Sequence, residues 1–194
     1  MVPVIRSMRR FKQALPLDAC KEVLKNGRRG VLSVIGDDGY PYGVPINYVY
    51  DEKENALYFH GAKEGHKIDA IKKSGKVCFT VFDEDYKEDG DWAYYVKSVI
   101  IFGRAKVVED EKETLRMTRL IGLKYYPTVK EVDAILERTR GRVQGVRVDV
   151  EKMTGKLVHE KYFLASAKFT LAKRMERLSR AFGACRQARK TKTL

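Results

Sequence analysis

The sequence predicts an α+β protein that is mainly antiparallel sheet, curled into a small barrel with helices inserted between the strands. About six segments have the alternating or β-branched pattern of strands, and several are joined by tight turns rich in Gly and Asp. Strands and helices do not alternate regularly, which argues against a parallel βαβ fold. Apolar residues make up 44% of the 194 residues, enough to fill a core.

The first half of the chain predicts a short helix and two successive hairpins. Asp18 is expected to cap the helix through its carboxylate. An apolar strand at 31–35 follows, and the turn at 36–39 leads into one continuous strand at 42–50. A third strand is expected at 56–60. The strand at 42–50 is recognised by the alternation of Val44, Ile46, Tyr48 and Tyr50.

The second half predicts longer elements. In chain order these are a helix at 65–73, a strand at 76–82, a long strand or a bent pair of strands at 92–108, helical sequence at 109–136 broken at Pro127, and a closing strand at 142–150. Residues 83–91 hold six acids and one lysine, which is typical of a solvated loop.

The net charge of +13 is concentrated at the C-terminus. Residues 165–194 contain nine Lys and Arg and one acid, so this stretch accounts for +8. We therefore expect a domain at 1–163 and a basic tail at 164–194. The tail has one apolar stripe at helical spacing, formed by Leu171, Met175, Leu178 and Phe182. Such a helix could bind nucleic acid or an anionic membrane, but we favour packing of the stripe on the domain or on a second subunit.

Missing motifs exclude several classes of site. The chain has no G-x-G-x-x-G, no Walker-type loop, no H-E-x-x-H and no G-x-S-x-G. Its three histidines and three widely spaced cysteines give no metal-ligand pattern, so no metal is expected. No apolar run is long enough for a signal peptide or a membrane span, so a cytoplasmic protein is expected.

The residues that carry chemistry lie between Gly39 and Lys73. His60 ends a strand, Gly61 and Ala62 add little bulk, and Lys67 lies at the start of a helix. Free helix amides together with a lysine suit a phosphate. The alternative is that Lys67 is a surface lysine and His60 a strand-end residue. The prolines at 41 and 45 could either free backbone groups for a flat ligand or protect a sheet edge.

In order and spacing, the chain resembles the pyridoxamine 5′-phosphate oxidase-like FMN-binding split barrels, and among them the nitroimidazole-resistance flavoproteins. The likeness begins at Met8-Arg9-Arg10 and runs to about residue 156. Its main motifs are GYPYGVPINYVY at 39–50, LYFHGA at 57–62, GHKIDAI at 65–71, KVCF at 76–79 and YVKSVIIFGRA at 95–105.

The resemblance implies a homodimer with two FMN sites at the subunit interface. It implies that His60 is the residue nearest the redox chemistry and that Ser98 contributes from the long strand. The strand lying along the flavin ring would be Val44, Pro45, Ile46, Asn47 and Tyr48, and the phosphate or flavin edge would meet His60, Gly61, Ala62 and Lys67. The phosphate argument for Lys67 reaches the same residue independently.

The expected function is that of an FMN-dependent oxidoreductase that takes electrons from NAD(P)H and passes them to a small acceptor such as a nitroimidazole. Three alternatives stay open. The protein could bind FMN with flavin-reductase activity or without nitroreductase activity, it could hold heme or a deazaflavin instead, or it could act as a nucleic-acid or membrane binder through the basic tail.

Overall fold

The computed structural model describes residues 5–90, 92 and 94–159. The described residues divide into two compact units, of which the first comprises residues 5–85 and 96–158 and the second comprises the described residues of 86–95 together with His159. The expected domain boundary at residue 163 and the basic tail from 164 lie outside the described residues.

The predicted antiparallel sheet with inserted helices is confirmed. The sheet has seven strands in the order β2-β1-β5-β6-β7-β4-β3. The strands are β1 (Arg29–Ile35), β2 (Pro41–Asn47), β3 (Val49–Asp51), β4 (Ala56–Gly61), β5 (Lys76–Phe82), β6 (Tyr95–Val108) and β7 (Gln144–His159). The helices are α1 (Leu17–Asn26), α2 (His66–Ser74), α3 (Glu111–Tyr125) and α4 (Val129–Thr139). The two outermost strands, β2 and β3, are neighbours in the chain, so the sheet must curl to bring its edges together.

The prediction of one continuous strand at 42–50 is wrong, because the chain changes partners at Tyr48. Strand β2 pairs with β1, whereas β3 pairs with β4. Between them, the Tyr48 N–H donates to the Tyr125 hydroxyl at 3.0 Å, and the Tyr48 hydroxyl donates to the Leu24 carbonyl at 2.7 Å. A side chain of α3 thus takes the place of a strand partner, and the sheet gains a seventh strand.

Three other predicted boundaries change. Asp18 does not cap α1, because Pro16 is the N-cap residue and Asp18 lies in the first turn, where its charge still favours the helix dipole. Strand β6 begins at Tyr95 rather than Trp92. The closing strand extends nine residues past Val150 to His159; polar residues in that stretch hid the alternation. The helix break at Pro127 is confirmed by the gap between α3 and α4.

Strand β4 is covered on both faces, which fixes the position of its last residues. On the inner face, Leu57 and Phe59 join the main core with α1, α2 and the other strands. On the outer face, Ala56 and Tyr58 pack against two residues of α3, Met117 and Ile121. Within the part of the chain that the structure describes, no helix is long and apolar enough to cross a membrane.

Candidate functional site

Lys67 and Gly61 meet where β4 ends and α2 begins. A Cβ atom on Gly61 would lie 3.0 Å from Cε and 3.1 Å from Nζ of Lys67, so glycine lets the lysine side chain lie against the strand. Lys67 is half-buried and forms no ion pair among the described residues. Gly65 precedes the helix with φ 119°, a backbone conformation that favours glycine, and has no side chain to cap the first-turn amides.

His60 and Ala62 flank Gly61 at the same end of β4. His60 pairs with Gly145 of β7, and both His60 and Ala62 are exposed. Desolvation of the imidazole by the surrounding protein lowers the His60 pKa, and the positive charge of Lys67 lowers it further. At neutral pH the ring is therefore neutral and can donate or accept a hydrogen bond or move a proton.

His66 fastens the start of α2 to the β1–β2 turn and to the beginning of β2. Its ring stacks on Tyr42, with centroids 4.2 Å apart and planes at 16°. Its Nε2 accepts a hydrogen bond from the Asp37 N–H at 3.3 Å. Sequence reasoning missed this cluster, because neither Tyr42 nor His66 has a local pattern that pairs them. Gly61, Lys67 and the first turn of α2, which together we call the lysine seat, are thereby joined to the first residues of β2.

Strand β2 has a free edge, since β1 is its one neighbour in the described sheet. Pro41 and Pro45 oppose Ile35 and Val31, and a proline cannot donate to a ladder. These odd-numbered positions must therefore turn their backbone groups away from β1. By the same alternation, the N–H groups of Gly43 and Asn47 point to the free edge.

The site residues expected on β2 are thus of two kinds. Pro45 and Asn47 have exposed side chains and backbone groups at the free edge. Val44 is half-buried and Ile46 is buried, and the backbone groups of both turn toward β1. Pro45 and Asn47, together with Gly43, are the members of this strand best placed to meet a flat ligand.

Tyr48 has no free group to offer a ligand. Its side chain is fully buried, and desolvation raises its pKa above the usual range. Its N–H donates to the Tyr125 hydroxyl, and that hydroxyl in turn donates to its carbonyl, each at 3.0 Å. The Lys124 ammonium lies 4.1 Å from the ring centroid. The ligand-accessible part of the strand therefore ends at Asn47.

Ser98 lies three strands away from β2, the strand expected along the flavin ring. It is half-buried on β6, opposite Phe82 of β5. Strands β1 and β5 separate β6 from β2 in the sheet. Three strand spacings of about 4.8 Å put Ser98 roughly 14 Å from β2 along the sheet. Within its own chain Ser98 is therefore separated from the free edge of β2 by two strands.

A cavity of about 1260 Å³ opens beside the far end of β2. It is lined by α1, by residues 27–29 and 82–85, and by Asn47, Lys97 and Tyr125. Asn47 is the one expected site residue in its lining. This cavity is therefore a different place from the lysine seat. No group of three or more His, Cys, Asp or Glu side chains in the described ranges could hold a metal ion.

The model of the pyridoxamine 5′-phosphate oxidase family matches residues 16–157. No curated protein sequence matches the chain. The fold is also that of several solved structures. One is a candidate 5-nitroimidazole antibiotic resistance protein from Bacteroides thetaiotaomicron, at 21% identity and TM-score 0.62, covering 75% of this chain and 87% of the other.

Two further structures are similar in fold. A conserved hypothetical protein from Mycobacterium tuberculosis has 18% identity and TM-score 0.65, with coverage of 77% of this chain and 90% of that one. An FAD-binding protein from Mesorhizobium loti has 21% identity and TM-score 0.52, with coverage of 75% and 96%. At these identities the likeness concerns the arrangement of the chain.

Proposed function

The chain belongs to the pyridoxamine 5′-phosphate oxidase family, and on that premise we propose that it is an FMN-dependent oxidoreductase. It works as a homodimer, with NAD(P)H as electron donor and a small nitro-aromatic compound as acceptor. The observation that carries the proposal is the Lys67 ammonium, which lies against Gly61 and pairs with no carboxylate in the part of the chain that the structure describes. The Bacteroides and Mesorhizobium proteins, whose descriptions name nitroimidazole resistance and FAD binding, support a flavin and a nitro acceptor.

The seat fits the phosphate of FMN. A half-buried ammonium that pairs with no carboxylate among the described residues is available to an anion such as a phosphate. The first amides of α2 supply donors and the positive end of the helix dipole, because Gly65 provides no side chain to cap them. Gly61 and Ala62 are small enough to let the phosphate oxygens approach the backbone.

The edge of β2 fits the flavin ring. The N–H groups of Gly43 and Asn47 would donate to ring oxygens and nitrogens, and Pro45 offers a flat apolar surface. FMN, when bound, supplies the redox chemistry, accepting a hydride and passing electrons onward. His60, neutral at neutral pH, is the residue of the seat able to hold or move a proton at an imidazole nitrogen.

The homodimer is proposed from the outward face of β1, β5 and β6. Three large apolar side chains are exposed there: Ile35 at 54%, Phe82 at 61% and Ile100 at 38%. In the described registers Ile100 opposes Thr80, and Thr80 opposes Val31, so the face is continuous across three strands. A second copy covering this face would bury these side chains, and the proposal assigns Ser98 of that second copy to the FMN site of the first.

The first experiment is the absorption spectrum of the purified protein together with the mass of the released cofactor. A band near about 450 nm and the mass of FMN are expected. A heme spectrum or a deazaflavin mass would replace FMN in the proposal. Anaerobic NAD(P)H oxidation, measured with and without a nitroimidazole, then tests the activity. Bound FMN without nitroimidazole-dependent oxidation would leave the cofactor assignment and overturn the nitroreductase.

A further inference from the structure

The described residues of the segment 86–95 are called the aromatic hairpin. Tyr86 and Tyr95 close it as an antiparallel bridge, with the Tyr86 N–H donating to the Tyr95 carbonyl at 3.2 Å and the reverse bond at 2.9 Å. Their rings stack with centroids 4.7 Å apart and planes at 10°. The base of the hairpin is therefore fixed by both backbone and side-chain contacts.

The aromatic hairpin presents large rings to solvent. Trp92 is 58% exposed, Tyr86 49% and Tyr94 45%. The Lys87 ammonium lies 5.5 Å from the Tyr94 ring centroid, so a cation already rests on one of these rings. Between the rings the sequence places three acids and this one lysine, so the hairpin has a net negative charge. Exposed rings beside carboxylates form a surface that suits arginine, which stacks on rings and pairs with carboxylates.

We propose that the aromatic hairpin is the docking surface for residues 165–194 of the same chain. That segment holds nine Lys and Arg, five of which are arginine, with a single acid, so its charge complements the hairpin. It also has an apolar stripe that needs a surface to cover it, formed by Leu171, Met175, Leu178 and Phe182.

Connectivity favours an occupant from the same chain. The described residues end at His159, the last residue of β7, and the basic segment begins only six residues later. A segment tethered by so short a connection has a high effective concentration at those surfaces of its own chain that it can reach. An acidic hairpin would also repel the phosphates of a nucleic acid or an anionic membrane. When the basic segment is docked, its positive charges are paired with the hairpin and are no longer available to such phosphates.

Trp92 is the only tryptophan of the chain, so fluorescence of the full-length protein reports on the aromatic hairpin alone. Acrylamide, a neutral quencher, measures access to its ring. The test variant reverses two hairpin charges, Glu88→Lys with Asp89→Lys. The matched control reverses two exposed acids elsewhere, Glu109→Lys with Glu137→Lys. We expect the quenching constant to rise about threefold in the test variant, in line with the loss of exposed ion pairs, and to stay unchanged in the control.

A charge swap and cross-linking identify the occupant. Adding Arg177→Glu and Arg180→Glu to the test variant should restore wild-type quenching. A carbodiimide should cross-link Lys168 or Lys173 to the hairpin acids in the wild type. The yield of this cross-link should be about threefold lower in the test variant. If the double charge reversal lowers the melting temperature, Asp89→Asn alone replaces it as the test variant in both measurements.

Several outcomes overturn the proposal. Equal quenching in the wild type and both hairpin variants, without cross-links, shows that the segment does not dock there. Cross-links that join light and heavy chains in an isotopically mixed sample assign the occupant to a second copy. Salt-dependent retention on DNA or on vesicles of anionic lipid, unchanged by the hairpin variants, assigns the basic segment to an external phosphate partner.

Discussion

The middle and the end of strand β4 contrast in how their charges are balanced. At Tyr58 a paired cluster is closed on itself: the Tyr58 hydroxyl donates to Glu54 at 2.7 Å and accepts from Arg116 and Arg147, each at 3.2 Å. Arg116 also donates to Glu113 at 2.8 Å. Two residues further along the strand, His60 and Lys67 form an open cluster with no carboxylate among the described residues.

The contrast predicts that the paired cluster contributes to the stability of the fold and that the open cluster contributes to ligand binding. In the paired cluster each polar atom around the buried Tyr58 has its partner inside the chain, so removing one should reduce the free energy of unfolding. The open cluster places a positive charge where the described residues offer no counter-charge. Changes there should affect the affinity for an anion and leave stability nearly unchanged. Four measurements examine this division.

The largest effect is expected for Lys67→Ala. Loss of a charge-assisted contact to the phosphate should weaken FMN binding roughly 10- to 100-fold, while the free energy of unfolding of the apoprotein changes by less than about 0.5 kcal/mol. Lys72→Ala on the same helix is the matched control, because Lys72 is exposed and lies in the last turn of α2. FMN affinity by titration and urea unfolding measure the two quantities. A Lys67→Ala protein that binds FMN like the control would remove Lys67 from the site.

The opposite pattern is expected for Tyr58→Phe. Burial and the hydrogen bond to Glu54 raise the pKa of Tyr58 to about 12, so the hydroxyl is protonated and donates throughout the physiological range. Removing it should lower the free energy of unfolding by about 1–2 kcal/mol, because Arg116 and Arg147 lose an acceptor in a half-buried place. FMN affinity should not change. A loss of affinity without a loss of stability would show that the two clusters are coupled.

Much of the fold was predictable, because most of it follows from local pattern. Alternation and turn residues located β1, β4 and β5, and the apolar positions Ile68 and Ile71 identified the buried face of α2. The break at Tyr48 was not predictable, since alternation continues through it. It depends on Tyr125, a residue 77 positions away that bonds to both backbone groups of Tyr48.

The candidate site was predictable where its parts are adjacent in sequence. Gly61 and Lys67 are six residues apart, and the strand-to-helix pattern was enough to bring them together. The contact of His66 with Tyr42 and the distance of Ser98 from β2 depend on strand order, which the sequence does not encode locally. Likewise, the free edge of β2 is fixed by its terminal place in the sheet; the two prolines only allow it.

Lys124 extends the comparison to a half-buried cation that pairs with no carboxylate among the described residues. Its Nζ donates to the Gly27 carbonyl at 2.7 Å, and desolvation lowers its pKa from 10.5 to about 8. Between these two pH values the unfolded chain binds a proton that the folded chain does not, so this lysine adds stability as pH rises. Lys124→Met removes the effect. Urea unfolding at several pH values should show the wild type gaining about 1 kcal/mol on the variant across this window, since the side chain is half-exposed. Parallel curves would mean that the folded chain leaves the Lys124 ammonium as well solvated as the unfolded one.

The smallest expected effect concerns His60 and the pH dependence of FMN binding. Desolvation and Lys67 hold the His60 pKa below its ordinary value in the free protein. A phosphate bound to Lys67 would offset that positive charge and add negative charge, so binding raises this pKa and takes up a proton as pH falls toward 6. The ratio of the FMN affinity of the wild type to that of His60→Gln should therefore rise about threefold as the pH is lowered from 8 to 6. Glutamine keeps a hydrogen-bonding side chain that does not titrate, and the ionisation of the phosphate itself is common to both proteins. Their affinity ratio thus isolates the imidazole, and a ratio that is constant with pH would place His60 outside the electrostatic reach of the phosphate.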